Sequence, residues 1–426
     1  MPKSPEPRPP VRIRPVLALL LLAAALLPTA ALLPLSAAAQ PGGRPAVLSR
    51  MLDVRTFEAD LRFISSDLTE GRAPAGRGEA ITVEYIEARL RRAGAEGAFP
   101  GGVYRQAVPL VRQEASPDME LTVRGPRGRR SFAYGSEFVV DSGVHAPTVE
   151  AAGEIVFVGY GIEAPEYRWD DYQGIDLRGK VLMMLVNDPP ATPREPALFE
   201  AEAMTYYGRW TYKYEMAEQK GAAGVLLVHV TEMAGYGWNV VASSWSGDQF
   251  SLEGSGTAQP LKMRGWVQQE VAREIVGMAG QDLDQLMQRA RTHDFQPVPL
   301  GVQASTLIHN TTERMTGWNV VGRVKGSDAQ RSGEYVMYTA HLDHLGMRTG
   351  EGDVVYNGCN DNASGVAAVL NLAGALGSIP AEQRPGRSFL FGLVTAEESG
   401  LLGSQWLAEN PPVPTRDIVA AINLIR

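Results

Sequence analysis

The chain has 426 residues, a formal net charge of −8, 44% hydrophobic residues and 21% charged residues. These values exclude a disordered chain, a coiled coil and a collagen-like fibre, and the negative charge argues against a nucleic-acid-binding protein. A chain of this length suits about two domains. Its one cysteine, Cys359, excludes an internal disulfide framework.

The amino terminus has the pattern of a secretory signal peptide. Basic residues precede an apolar run from Val16 to Leu35, and small residues follow the run. This order is typical of a signal peptide, whereas the prolines within the run argue against the alternative, a retained membrane anchor. The pattern predicts that residues 1–39 are removed and that residues 40–50 form a linker. The mature protein is therefore expected to be exported, to the periplasm or the medium, without membrane attachment.

Residues 51–139 carry helical patterns followed by extended ones. Apolar residues recur at helical spacing from Phe57 to Ile64, and a second amphipathic helix ends at Gly94. Short strands are predicted after it. This segment is expected to be the first part of the main domain.

The next segment, residues 140–302, changes character and is predicted to be an inserted domain. Residues 155–158 and 181–186 are apolar strands, and a helix at about 209–220 leads into the buried strand 225–228. A segment with its own strands, helix and turns is typical of a separate small α/β domain.

Strands and helices alternate most clearly in residues 303–426, the predicted second part of the main domain. Apolar strands that alternate with helices are typical of a parallel sheet covered on both faces. The predicted fold is therefore α/β, with a mixed, largely parallel sheet between helices. Strands are predicted at 318–324, 335–340, 389–395 and 418–424, the last of them buried, and a helix is predicted at 364–376.

Three polar motifs stand where these strands end or where a helix begins. They are HLDH at 341–344, NDNASG at 360–365 and EESG at 397–400. Each motif alone has an ordinary structural explanation. In order, these are a structural histidine, a helix cap and a solvent-exposed helix start. Together they lie where open α/β sheets place a ligand crevice, and imidazole and carboxylate groups are zinc ligands. The three motifs therefore predict a metal site.

The chemistry of these side chains favours metal-assisted hydrolysis. Residues two apart in an extended chain face the same way, so Asp343 can orient the ring of His341. Asp361 has two oxygens and could bridge two metal ions that share a water molecule. Of the adjacent pair Glu397 and Glu398, one carboxylate can bind metal while the other accepts a proton from that water.

The motifs resemble those of the exported di-zinc aminopeptidases and glutamate carboxypeptidases of metallopeptidase family 28. The resemblance extends to the Gly-Arg loop at 67–72 and, in the inserted segment, to the protease-associated domain that many members of the family carry. The matching runs are 338–346, 357–365 and 395–404 for the metal motifs, and 158–162, 170–172 and 178–180 for the inserted domain.

The resemblance implies a role for each residue of the motifs. His341 would bind one zinc ion, Asp361 would bridge two, and Glu398 would bind the other. Glu397 would be the general base, and Asp343 would orient His341. The implied function is a zinc-dependent exopeptidase that acts on peptide substrates with two zinc ions in each active site. An aminopeptidase is favoured over a carboxypeptidase.

The end of the sequence departs from the family pattern. The family's site has five protein ligands, of which this chain offers three at matching positions. The fourth is an Asp after an Ile-Asn-Leu strand and the fifth is a later His, but here Leu424 is followed by Ile425 and Arg426. We therefore expect a C-terminally truncated product. A non-catalytic binding or scaffold relative and an inactive truncated product remain alternatives, and glutaminyl cyclisation is a third chemistry for such a site.

Two other residues carry expectations of their own. Cys359, close to the predicted bridging aspartate, is expected to be a small buried apolar side chain. Arg72 is expected to be a structural or solvated loop arginine rather than a binder of a substrate carboxylate.

Overall fold

The computed structural model describes residues 51–201, 203–254, 260–348 and 350–425. The predicted signal peptide and linker lie outside these residues. Within the described ranges, no helix has the length and hydropathy needed to cross a bilayer. The described residues lie within one compact unit.

Helices and strands alternate along the chain, and their bounds agree with most of the predicted elements. The helices are α1 (Val54–Ile64), α2 (Arg77–Arg92), α3 (Trp210–Gln219), α4 (Thr231–Ala234), α5 (Trp238–Trp245), α6 (Gln269–Met278), α7 (Leu283–Arg289), α8 (Ser364–Gly377) and α9 (Leu402–Glu409). The strands are β1 (Glu96–Gly97), β2 (Arg105–Ala115), β3 (Glu120–Gly125), β4 (Gly128–Ala133), β5 (Phe138–Asp141), β6 (Thr148–Phe157), β7 (Glu163–Ala164), β8 (Trp169–Asp170), β9 (Val181–Leu185), β10 (Gly224–His229), β11 (Asp248–Leu252), β12 (Met263–Gln268), β13 (Val298–Val324), β14 (Tyr335–His341), β15 (Ser388–Val394) and β16 (Ile418–Asn423).

Most strands belong to one mixed sheet with two blocks of parallel strands. The sheet order is β16-β14-β15-β13-β6-β9-β10-β12-β5, and further strands pair beside this path. In one block, β14 runs parallel to both β15 and β16. In the other block, β6, β9, β10 and β12 are parallel to one another. This architecture confirms the predicted α/β fold with a mixed sheet.

The long strand β13 joins the two blocks. Its first half pairs with β3 and β6, and its second half pairs with β2 and β15. The sequence predicted only residues 318–324 of this strand, because the preceding residues alternate between buried and exposed rather than being uniformly apolar. The expected boundary between the inserted segment and the second part of the main domain, at 302, falls inside β13.

The sheet around β15 is covered by helices on both faces. On one face α1, α2 and α8 contribute Ile64, Ile86 and Val369 to a hydrophobic cluster with Phe391. On the opposite face Leu407 of α9 belongs to a cluster with strand residues. Every residue of β15 is buried, which explains its uniformly apolar sequence. The largest cluster lies further along the sheet, among residues 115–308.

The prediction that residues 418–424 form a buried strand is wrong in one respect. The strand β16 forms, but within the described residues it pairs only with β14 and is an edge strand. Val419 and Ile422 retain 49% and 43% exposure. Its apolar sequence predicts burial on both faces, but burial depends on neighbouring strands that composition does not reveal.

Candidate metal centre and active site

The candidate site lies at the carboxyl ends of β14 and β15. These strands are parallel, and His341 at the end of β14 stands in register with Val394 at the end of β15. The segment after β15 continues through Glu397 and Glu398. A helical turn, Cys359–Ala363, leads into α8 and carries Asp361 to the same edge. Because parallel strands end together, residues distant in sequence meet here.

His341, Asp361 and Glu398 form a group whose potential ligand atoms all lie within 4.8 Å of one another. His341 Nε2 lies 3.0 Å from Asp361 Oδ1. The imidazole is only 2% exposed, whereas the Asp361 side chain is 47% exposed, so the group is buried on one side and open to solvent on the other. One imidazole and two carboxylates with an open side are the donor set of a catalytic zinc site, so these residues fit that ion.

Glu397 stands beside this group with its carboxylate directed toward the same imidazole. Its Oε2 atom lies 3.8 Å from His341 Nε2. Burial raises the pKa of the Glu397 carboxyl to about 7, and the negative charge of Glu398 adds to the shift while His341 opposes it. A carboxylate with a pKa near neutrality is suited to accept and return a proton.

Asp343 connects the two strand ends. Its buried carboxylate accepts hydrogen bonds from the backbone N–H groups of Glu397 and Glu398, at 3.1 and 3.4 Å. Toward His341, the nearest atom to Nδ1 is the backbone oxygen of Asp343 at 3.2 Å, with the carboxylate at 3.6 Å. Asp343 therefore contacts the imidazole and also holds the loop of paired glutamates, which the sequence did not suggest.

The charge of Asp343 also governs the imidazole. Burial by itself lowers the pKa of His341, but the nearby carboxylate of Asp343, together with the charges of Glu397 and Glu398, outweighs burial and raises it to about 9. Without a cation, the carboxylates thus favour a protonated imidazole. A metal ion would take the place of that proton, because metal binding requires the neutral ring.

Sequence reasoning missed Glu79, a buried carboxyl beneath the site. It lies in the first turn of α2 and is 1% exposed. It accepts hydrogen bonds from the Thr395 hydroxyl and from the backbone N–H groups of Ala75 and Trp318. Burial raises its pKa to about 7. A glutamate at a helix start is ordinarily solvated, so no local signal marked this one.

Two further residues of the motifs lie near this group, and one of them differs from expectation. His344 lies beside the group, and its Nδ1 is 2.6 Å from Glu398 Oε1. Cys359 was expected to be buried, but it is exposed, because the turn before α8 directs it away from the core. The expectation rested on cysteine's general preference for burial and ignored this turn.

Comparison with known proteins supports the resemblance for the part of the chain that carries these motifs. Residues 319–424 match the model of peptidase family M28. The predicted resemblance to this family of metallopeptidases is thereby confirmed for that segment.

Curated relatives match over the same kind of short span. Aminopeptidase NAALADL1 of Mus musculus is 33% identical over 120 residues, which is 27% of this chain and 14% of that protein. Leupeptin-inactivating enzyme 1 of Streptomyces exfoliatus is 35% identical over 108 residues, which is 25% of this chain and 22% of that protein. The matched part thus spans less than a quarter of these relatives.

Among solved structures, an aminopeptidase from Aneurinibacillus sp. strain AM-1 is similar, with a TM-score of 0.47 and 16% identity. That match covers 88% of this chain and 71% of the other. A peptidase M28 precursor from Shewanella amazonensis has a TM-score of 0.41 and 18% identity, with 88% and 72% covered.

Proposed function

We propose that the protein is a zinc-dependent exopeptidase, an aminopeptidase that releases amino-terminal residues from peptides. The observation that carries the proposal is the meeting of His341, Asp361 and Glu398 at adjacent strand ends, within the segment that matches peptidase family M28. The names of the matched curated relatives, an aminopeptidase and a leupeptin-inactivating enzyme, favour peptide substrates.

The side chains divide the work in this proposal. His341, Asp361 and Glu398 hold zinc, which when bound lowers the pKa of a water molecule and polarises a carbonyl. Glu397 accepts the proton of the attacking water at its carboxylate and passes it to the leaving amine. Asp343 fixes the imidazole and the backbone of both glutamates, so that these groups keep their relative positions.

The number of zinc ions is the finer part of the proposal. The ligand atoms of all three residues are near enough to share one ion. We propose that two ions would be held here, with Asp361 shared between them and His341 and Glu398 each contributing to one. The open side of Asp361 leaves room for that arrangement.

We further propose that residues 140–302 are a protease-associated domain inserted into the catalytic domain, and that the mature protein works outside the cytoplasm. The insertion is supported by the separate parallel block β6-β9-β10-β12 and by the hydrophobic cluster around that block, which extends beyond the segment to residues 115–308. Export is supported by the signal-peptide pattern alone.

A zinc titration of the chelator-stripped mature chain tests the proposal, together with release of the first residue from leucine- and glutamine-initiated peptides. We expect at least one tightly bound zinc ion and zinc-dependent release of leucine. Two ions per chain would support the bridged arrangement, and one would restrict it to a single ion. Absence of tight zinc binding would overturn the peptidase proposal in favour of a non-catalytic binding role. Cyclisation of the glutamine peptide without leucine release would identify a cyclase instead.

A further inference from the structure

Arg72 is a fully buried cation directly beneath the candidate site. It ends the short helical segment Asp67–Arg72 between α1 and α2, and its side chain has no solvent exposure. Burial lowers its pKa to about 10, so the guanidinium stays charged at neutral pH. A buried charge is costly unless its hydrogen-bonding capacity is satisfied, and this residue therefore needs a structural or functional reason.

The hydrogen bonds of Arg72 connect two of the three segments that carry the potential ligands, those of His341 and Asp361. Its Nε donates to the carbonyl of Leu342, at 2.8 Å, which lies between His341 and Asp343. Its Nη1 and Nη2 donate to the carbonyls of Asn357 and Gly358, at 2.7 and 3.1 Å, just before the turn that carries Asp361. One planar group thus sets the separation of the two segments.

A further hydrogen bond ties this arrangement to the rest of the fold. Nη1 also donates to the carbonyl of Ile64, at 2.7 Å, at the end of α1. The guanidinium therefore fixes the two ligand segments relative to a helix of the core as well as to each other.

The backbone of the same loop reinforces the connection. The carbonyl of Arg72 accepts a hydrogen bond from His344 N–H at 3.2 Å, and that of Gly71 accepts one from Gly346 N–H at 2.9 Å. A Cβ atom at Gly71 would lie 2.1 Å from the carbonyl oxygen of Gly346, so only glycine permits this approach. At Gly358, a Cβ atom would lie 2.5 Å from Arg72 Nη2. The loop that carries Arg72 and the two ligand segments therefore approach each other closely, at positions where only glycine fits.

The charge of Arg72 is balanced by the site rather than by a direct partner. The hydrogen bonds of its guanidinium go to backbone carbonyls. The negative charges that favour its protonated form belong to Asp343, Glu398 and Asp361. Lysine would supply the charge but not the planar fork that reaches several carbonyls at once. Because the side chain is buried, it is also not placed to receive a substrate carboxylate.

We propose that Arg72 is the positioning residue of the metal centre: it holds segments 341–344 and 357–361 at the separation that zinc binding requires and balances part of their negative charge. The inference rests on the proposed zinc site and assigns the Gly-Arg loop a role in building it. Since the role acts through the backbone of the ligand segments, its signature is metal affinity and ligand geometry.

Two variants and a control test the role. Arg72→Lys keeps the charge and loses the fork, whereas Arg72→Gln keeps amide donors and loses the charge. Arg264→Lys is the matched control, because Arg264 pairs with Asp141 on neighbouring strands β12 and β5 of the other block, with Nε 2.8 Å from Oδ1. For each chain we would measure zinc affinity against a chelating dye, the absorption spectrum with cobalt(II) in place of zinc, the circular dichroism spectrum and the Tm.

We expect both Arg72 variants to fold and to bind zinc about ten- to a hundred-fold more weakly, with an altered cobalt spectrum. The control should lower the Tm while leaving affinity and spectrum unchanged. A folded Arg72→Lys chain with the zinc affinity and cobalt spectrum of the unmodified protein would overturn the inference. Loss of folded structure in both variants would also overturn the inference, because Arg72 would then be required for folding rather than for positioning the ligand segments. If the unmodified protein itself binds no zinc, the proposed function is wrong. That failure is seen in the unmodified protein, whereas failure of the inference is seen only in the Arg72 variants.

Discussion

The protein contains two groups of charged side chains near the ends of parallel strands, and the groups differ in charge balance. At the ends of β14 and β15, acidic residues surround one imidazole and open to solvent through Asp361. Beyond the end of β9, the buried Lys213 donates to the carbonyl of Asn187, at 3.1 Å, and interacts electrostatically with Asp188 and Asp171. The second group holds its lysine among partly or fully buried carboxylates, whereas in the first group the buried Arg72 lies beneath the carboxylates and Asp361 stays 47% exposed.

The comparison indicates what distinguishes the candidate metal site from a structural ion cluster. Burial lowers the pKa of Lys213, and the charges of Asp188 and Asp171 oppose that shift. Around His341, by contrast, the acidic groups raise an imidazole pKa far enough to favour a proton that a metal would displace. Around His341 the carboxylates outnumber the buried cation Arg72 and one side is open, which favours a cation from solution, whereas Lys213 balances its two acidic neighbours from within the fold.

The largest expected effect is on catalysis, from Glu397→Gln. Removing the proton acceptor should lower the peptidase rate about a thousand-fold while zinc affinity stays close to that of the unmodified protein, because Glu397 lies beside the ligand group. Steady-state kinetics and zinc titration of the same preparation check this. Glu409→Gln, on the exposed end of α9, is the control. Unchanged activity would remove Glu397 from the proposed chemistry.

The next effect belongs to the second group. Lys213→Met should lower the free energy of unfolding by about 3 kcal/mol, because it leaves two carboxylates without their buried cation. Zinc affinity should be unaffected. Denaturant unfolding and zinc titration measure the two quantities separately. A loss of zinc affinity in the folded variant would show that the two groups are energetically coupled and would contradict their separation into independent groups.

Glu79, which belongs to neither group, adds a pH dependence of its own. Its pKa of about 7 exceeds the ordinary value of 4.5, so the folded state holds this proton more tightly than the unfolded chain. The resulting stability is complete below about pH 4.5 and is lost as the pH rises through 7, by about 3 kcal/mol at most. Unfolding measured between pH 4.5 and 8 should show a shallower fall in Glu79→Gln than in the unmodified protein. Identical profiles would exclude Glu79 as the source.

The smallest effect is expected from His344→Ala. The hydrogen bond between His344 and Glu398 orients a potential ligand without belonging to the ligand group. Its loss should weaken zinc binding about ten-fold and leave the Tm of the zinc-free protein nearly unchanged. A loss of more than a hundred-fold would instead indicate that His344 binds the ion directly. His309→Ala, an exposed histidine on β13, is the control.

Local pattern predicted much of the fold and the residues of the site. Apolar strands, helix periodicity and glycine stops located most elements, because each depends on neighbours a few residues away. The motifs at 341–344, 360–365 and 397–400 pointed to one place, because parallel strands end together. The sequence alone therefore points to the proposed metal ligands, and the structure supplies the distances between them.

Tertiary structure decided what depends on distant partners. The continuous strand β13 and the exposed edge β16 follow from which strands become neighbours. Asp343 accepts a hydrogen bond from the backbone of Glu397, and Glu79 accepts one from the hydroxyl of Thr395. Arg72 donates to carbonyls in the segments that carry His341 and Asp361. The sequence determined which side chains can bind metal or accept a proton. Burial and long-range hydrogen bonds determined which buried charged residues lie around them. No local pattern records these contacts, because each joins residues far apart along the chain.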